Sequence, residues 1–340
     1  MTPQTLEPIA TEVAPPTSYE IRRFQPRDAA GITDCVRQVY GDSYVHPELY
    51  DPEAIVRLNA SGELVSVVAL DNEQVVGHYA LERPGCSQVA ETGEALVLPE
   101  HRHHALMEQM RLLIEEEAVR LDLQGLYGNV VTNHPFTQRV VQRFGEQPCA
   151  VSLGWAPKSF HNLATPLTQR MSELVYFKYL RKPSQPAVYL PEQHFEWCLK
   201  IYLQLQVRVQ PREAQVTFGG GKLLVEYRPE LQRAMLRVVS VGDDSAADIQ
   251  RAMRVLRCAN VEVVFLELPL SQSGTPYLCR ELERQGFFFS GIGPCFASDG
   301  DVLRLQWLNT EVDTSLLQLE SPLARELLGY VADERRRVTR

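Results

Sequence analysis

GEALVLPEHRHHALMEQM, Gly93–Met110, reads as a strand, a tight turn and the start of a helix. Glu94–Leu98 is mostly apolar and β-prone, Pro99 ends it, and Arg102 follows among His101, His103 and His104. Leu106, Met110, Leu113 and Leu121 then recur at helical spacing, which predicts a helix to about Leu123. A strand that hands the chain to a helix start brings unpaired backbone N–H groups and the positive end of the helix dipole to one point. Such a point attracts an anion, and a phosphate-bearing cofactor is the expected occupant. Arg102 adds a fixed positive charge.

Upstream, Tyr19–Phe24 alternates like a strand, Pro26-Arg27-Asp28 opens a helix over Ala29–Tyr40, and 41–50 is an aromatic loop. A short helix, Pro52–Leu58, precedes two strands, Leu64–Leu70 and Gln74–Leu81, turned at Asp71-Asn72-Glu73. The central strand is expected near Val89–Leu98. Downstream come a buried parallel strand, Gly125–Thr132, a helix, Phe136–Phe144, and strands Cys149–Leu153 and Leu174–Leu180, with an excursion at Trp155–Arg170 between them.

The opening stretch resembles motif A of the GNAT superfamily of N-acetyltransferases. There a hydrophobic strand ending Val-x-Pro and an Arg-Gly-x-Gly-x-Gly/Ala turn bind the pyrophosphate of acetyl-CoA. Val97-Leu98-Pro99 matches the strand end and Arg102 the arginine, while His103, Ala105 and Met107 stand at the glycine positions. A Cβ there holds backbone and phosphate further apart than glycine does. The resemblance implies a pyrophosphate held around Arg102, His103, His104, Ala105, Leu106 and Met107, and a pantetheine arm beside Leu96, Val97 and Leu98. It also implies a pantetheine or strand-pairing role for Asn133, which equally suits a helix cap. The family's tyrosine acid would fall near Val140–Val141, where there is none, and Tyr127 is the substitute.

Acyl transfer from a thioester to an amine needs a polarised carbonyl, a base for the amine and an acid for the thiolate. Glu91 and Glu94 are the candidate bases. Period-2 alternation puts them on opposite faces unless a bulge at Gly93 intervenes. Tyr44, His46 and Tyr50, with His78, are candidate acceptor-pocket residues. Adjacent histidines in a turn chelate poorly without carboxylate or cysteine partners, so no metal is expected at His101–His104.

After Lys182-Pro183-Ser184-Gln185-Pro186 the order of elements recurs. Pro191–Gln206 is a helix, and Gly219-Gly220-Gly221 joins strands Gln215–Phe218 and Leu223–Tyr227. Strand Arg233–Val241, helix Asp244–Cys258, strand Val261–Leu268, helix Thr275–Gln285, strands Phe287–Ile292 and Val302–Leu308 and a last helix, Ser321–Arg337, follow. The fold class is therefore α/β: two tandem GNAT-like domains, each a mixed, mostly antiparallel sheet flanked by helices. The boundaries are a flexible tail at 1–17, a first domain at 18–182 with the acyl-CoA site, a linker at 183–188 and a degenerate copy at 189–340. At the second copy's turn, Asp243 and Asp244 stand where a phosphate would sit, and like charges repel. That copy either shapes the acceptor site or supplies only core and interface.

The net charge of −9 argues against nucleic acid as a general partner. No run is apolar enough to span a membrane, and the first residues show no signal-peptide pattern. Seven scattered cysteines without a CxxC fit a reduced, cytoplasmic protein. Gly219–Lys222 lacks P-loop spacing, no GxSxG or HExxH occurs, and Arg335–Arg337 suits a helix C-terminus. Two functions remain. One is an acyl-CoA-dependent N-acyltransferase, acetyl-CoA being the default donor and a small-molecule or peptide amine the acceptor. The other is a catalytically silent ligand-sensing or protein-interaction module, for which a homodimer or a regulatory protein partner fits.

Overall fold

The computed structural model describes residues 19–42, 44, 46–102, 104–158 and 167–339, with the Cys86 side chain left out. The expected tail at 1–17, His103 and half of the 155–170 excursion lie outside the described residues.

Alternating apolar residues form β1 (Glu20–Arg23), β2 (Leu64–Asp71), β3 (Gln74–Glu82) and β4 (Val89–Val97). Asn72 and Glu73 turn β2 into β3 with positive φ of 48° and 69°, the conformation whose twist matches an antiparallel pair. Helices α1 (Ala29–Tyr40) and α2 (Pro52–Ser61) precede the hairpin, and α3 (Leu106–Arg120) follows β4. α3 stops before the expected Leu123 because Asp122 turns left-handed, φ 56°, and Leu123 N–H returns to the Ala118 carbonyl at 3.1 Å. β5 (Gly125–Val131), α4 (Phe136–Arg143), β6 (Gln147–Ala156) and β7 (Met171–Tyr179) complete the first half.

The second half contains β8 (Ala187–Val188), α5 (Phe195–Gln204), β9 (Gln210–Pro211), β10 (Lys222–Arg228), β11 (Arg233–Ser240), α6 (Ser245–Cys258), β12 (Val263–Pro269), α7 (Thr275–Glu283), β13 (Phe288–Ala297), β14 (Gly300–Leu308) and α8 (Pro322–Val338). The segment expected as a linker contributes β8, which pairs with β9 outside the main sheet. The strand expected at Gln215–Phe218 is irregular chain instead. Its letters favour a strand, but Gln215 N–H bonds the Ser273 carbonyl rather than a ladder.

Twelve strands make one mixed, mostly antiparallel sheet in the order β1-β2-β3-β4-β5-β7-β6-β13-β14-β12-β11-β10. Its two parallel pairs are β4–β5 and β11–β12. The run β10-β11-β12-β14-β13 repeats β3-β4-β5-β7-β6 in order and in strand sense. The runs meet at β6 and β13 through one ladder pair, Ala150–Gly291. Any Cβ on Gly291 would lie 2.3 Å from the Cys149 carbonyl oxygen, so glycine is required at this seam. Buried Gln306 clasps the seam further along: its Oε1 accepts from Leu153 N–H at 3.1 Å and its Nε2 donates to the Leu153 carbonyl. One buried cluster joins β6 and β7 to the whole second half, and another lies under β1–β4 with α1 and α3. Among the described residues, no helix is long and apolar enough to cross a membrane.

Candidate functional site

β4 and β5 pair in parallel only over Val89–Glu91 and Gly125–Tyr127, then diverge. The β3–β4 ladder slips between Ala80–Gly93 and His78–Leu96, so β4 carries a bulge at Glu94–Ala95, one residue beyond the expected place. Glu94 takes φ 52°, a left-handed conformation that costs a non-glycine residue about 1–2 kcal/mol. Fully buried His78 holds it, with Nδ1 3.0 Å from the Glu94 carbonyl oxygen and Nε2 3.0 Å from Ser66 Oγ. His78 thus sits behind the bulge rather than in an acceptor pocket.

A cavity of about 660 Å³ runs from β4 to the start of α3 and across to α4. Leu96, Val97, Arg102, Ala105, Leu106 and Met107 line it, while Leu98 is buried at 2% exposure and is not among its lining residues. Ala105 sits at the N-cap of α3 with φ 55° and no side-chain cap. The chain therefore adopts at Ala105 the turn that a glycine would make freely, and the first N–H groups of α3 stay uncapped by a side chain. Arg102 is exposed, and its Nε donates to the Val97 carbonyl at 3.1 Å, which fixes the guanidinium at the cavity edge. His101 lines the cavity, and both it and His104 meet the Tyr19 ring. Tyr19 Oη lies 3.1 Å from His101 Nδ1, and the His104 ring leans on Tyr19 with centroids 5.2 Å apart. His104 therefore does not line the cavity, contrary to expectation, because its ring packs on an aromatic neighbour.

Across the diverging strands, both polar side-chain atoms of Asn133 and Nδ1 of His134 are buried without partners. Such orphans are costly unless a ligand satisfies them. His134 lines the cavity, whereas Asn133 is not among its lining residues, so the His134 nitrogen is the orphan that a ligand in the cavity would reach. Sequence reasoning missed Val39, Tyr40, Glu108 and Thr137, which also line the cavity. No motif marks them, since they come from the last turn of α1, the first turn of α3 and the first turn of α4.

Where β4 and β5 still pair, Glu91 accepts from Asn129 Nδ2 at 2.9 Å, and burial raises its pKa above the ordinary carboxylate value. Burial likewise raises the Tyr127 phenol well above its usual value, so it keeps its proton. Glu91, Tyr127 and Asn129 line a second cavity of about 550 Å³, whose other wall comes from Arg233, Met235, Glu267 and Arg304 of the second half. Tyr127 meets Phe296 there with ring centroids 4.8 Å apart, and the Arg233 guanidinium stacks 4.0 Å over the Trp155 ring. Behind the fork, fully buried Arg111 pairs with fully buried Glu146 and donates to Thr92 Oγ1 at 2.9 Å. That network ties α3 to β4 and the start of β6.

The bulge overturns simple alternation: Glu94 reaches the same cluster as Glu82, which is the ladder partner of Glu91. Its Oε1 lies 3.6 Å from His46 Nδ1, away from the Asn129 contact that holds Glu91. Tyr50 Oη donates to the Gly41 carbonyl at 2.7 Å and accepts from Tyr44 N–H at 3.0 Å, so it closes its own loop. In the second half the corresponding turn is filled. Asp243 N–H donates to the Gly219 carbonyl at 3.1 Å and Gly221 N–H to Asp244 Oδ1 at 2.7 Å. A Cβ on Gly242 would lie 2.3 Å from the Gly219 oxygen, so backbone occupies the space a phosphate would need.

No family model matches the sequence, and no curated protein matches it. Among solved structures the chain is similar to an acetyltransferase of the GNAT family from Streptococcus pneumoniae, at 15% identity and TM-score 0.40 over 48% of this chain and 99% of that one. It is similar to the ribosomal-protein-S18-alanine N-acetyltransferase from Escherichia coli, at 8% identity and TM-score 0.40 over 49% and 97%. It is also similar to the PaiA N-acetyltransferase from Thermoplasma acidophilum, solved with coenzyme A, at 14% identity and TM-score 0.35 over 48% and 99%.

Proposed function

We propose that this chain is an acyl-CoA-dependent N-acyltransferase, with acetyl-CoA as default donor and a small-molecule or peptide amine as acceptor. One observation carries the reading: a forked, bulged β4 leads along a cavity into an uncapped helix start whose Ala105 already has the left-handed turn. In this reading Arg102 and the first amides of α3 hold the pyrophosphate, Leu96 and Val97 flank the pantetheine, and the His134 nitrogen bonds it. Bound acyl-CoA supplies an activated thioester carbonyl. Glu91, oriented by Asn129, takes the proton from the amine as its nitrogen bonds the carbonyl carbon and the carbon–sulfur bond breaks. A carboxylate whose pKa is raised by burial is a stronger base, which suits that task. Tyr127 is the acid that returns a proton to the thiolate. The second half walls the acceptor cleft with Arg233, Glu267 and Arg304 and, its own turn being filled, binds no donor.

A second reading, a silent ligand-sensing or protein-interaction module, is favoured by Glu108. This carboxylate lines the same cavity as Arg102 and opposes a phosphate there. Free-thiol release from acetyl-CoA with a panel of amines decides between them. Amine-dependent release that Glu91→Gln abolishes supports the enzyme, whereas coenzyme binding without release on any amine supports the module.

A further inference from the structure

We propose that His46, Glu48, Glu82 and Glu94 form a site for one divalent transition-metal ion of the Mn2+, Fe2+ and Zn2+ class. His46 and Glu48 come from the turn before α2, Glu82 from the end of β3, and Glu94 from the bulge in β4. One ligand atom from each lies within 4.8 Å of the others. His46 Nδ1 is 3.2 Å from Glu48 Oε1, 3.7 Å from Glu82 Oε2 and 3.6 Å from Glu94 Oε1.

The spacing discriminates between occupants. Ligands bound at about 2.1 Å around a tetrahedral ion stand about 3.4 Å from one another. An ammonium, held by hydrogen bonds of about 2.8 Å, would spread the same atoms to about 4.6 Å. The three separations from His46 Nδ1, 3.2, 3.7 and 3.6 Å, match the ion. Three carboxylate oxygens and one imidazole nitrogen are also the donor set that suits these metals rather than a soft ion.

An independent observation points the same way. Glu94 is 4% exposed, and both of its carboxylate oxygens are buried without a hydrogen-bond partner. Glu82 Oε1 is buried and unpartnered as well. Unsatisfied buried carboxylates are expensive, and the fold spends a left-handed backbone, φ 52°, and a break in the β3–β4 ladder to aim Glu94 there. A bound ion accounts for both features, and it would pin the turn carrying His46 to β3 and β4 beside the fork.

The experiment uses the full chain with any affinity tag removed, stripped with chelator and dialysed. Mn2+ or Zn2+ is then added back, the ion that stays bound through gel filtration is measured by mass spectrometry, and melting is followed with and without each ion. The wild type is expected to retain about one ion per chain and to melt roughly 4 °C higher in about a hundredfold excess over Kd. Glu94→Gln and His46→Gln are each expected to weaken metal binding by at least about tenfold. Without metal, Glu94→Gln melts no lower than the wild type, because an amide of the same shape replaces a carboxyl group that has no hydrogen-bond partner, so its lost metal is not lost folding. A wild type that retains no ion and shows no shift overturns the site and leaves a proton-sharing carboxylate cluster. Undiminished metal in both variants also overturns it, and places the ion elsewhere, for example at His194, Cys279 and Glu283.

Discussion

His78 Nδ1 lies 3.0 Å from the carbonyl oxygen of Glu94, so one buried imidazole holds the one residue of β4 with a left-handed backbone. A carbonyl only accepts, so Nδ1 carries the hydrogen and Nε2 accepts from Ser66 Oγ. Burial pushes the His78 pKa down to about 4, and the ring is neutral at pH 7. The unfolded imidazole binds its proton near the ordinary value of about 6.5. As the pH falls, the unfolded chain therefore takes up that proton first, and the His78 contribution to stability is lost between those two values. In chelator, the stability of the wild type relative to His78→Gln is expected to fall by up to about 3 kcal/mol from pH 6.5 to pH 4, read from urea melts. A constant difference across that range contradicts the neutral, bulge-holding imidazole.

Arg111 and Glu146 are both fully buried and pair behind the fork. Removing the guanidinium alone leaves a carboxylate in the core, so Arg111→Met is expected to cost about 3–5 kcal/mol. The double variant Arg111→Met with Glu146→Leu should recover most of that loss. Equal destabilisation of single and double variants in denaturant melts would show that packing, rather than the stranded charge, sets the cost.

Gln306 closes both backbone groups of Leu153 across the seam between the two runs of strands. Gln306→Leu keeps the volume but strands a buried N–H and a buried C=O, and about 2–4 kcal/mol of stability should be lost. Hydrogen exchange at the Leu153 amide should accelerate before that of β4. Unchanged melting would mean that the seam relies on packing alone.

Ala105 holds a positive φ at the start of α3. Ala105→Gly removes both the backbone strain and a Cβ from the anion cradle, so it is expected to stabilise the chain by about 1 kcal/mol and to tighten coenzyme A binding. Looser binding in a more stable variant would place the phosphates elsewhere.

The strand, turn and helix around Arg102 were legible because each rests on local signals: an apolar run, Pro99 and a helical repeat. The mixed sheet and the repeated order of elements follow from the same kind of signal. What stayed hidden depends on register and on distance along the chain. The bulge lands on Glu94 rather than Gly93 because the ladder with β3 sets it, and no letter in β4 marks that slip. The cluster of residues 46, 48, 82 and 94 forms only once a loop and two strands have packed. Arg111 and Glu115 have the i,i+4 spacing of a solvated pair, yet Arg111 is fully buried because Glu146, Thr92 and Tyr79 receive it. Gln215–Phe218 shows the reverse: β-prone letters that remain irregular chain.

Titration calorimetry of the full chain with acetyl-CoA tests the central claim most directly. The account predicts saturable heat for the wild type and binding weakened by about 10–100-fold in Arg102→Ala, as befits one charge-assisted contact to phosphate. No heat at millimolar acetyl-CoA, from protein shown to be folded, would contradict it.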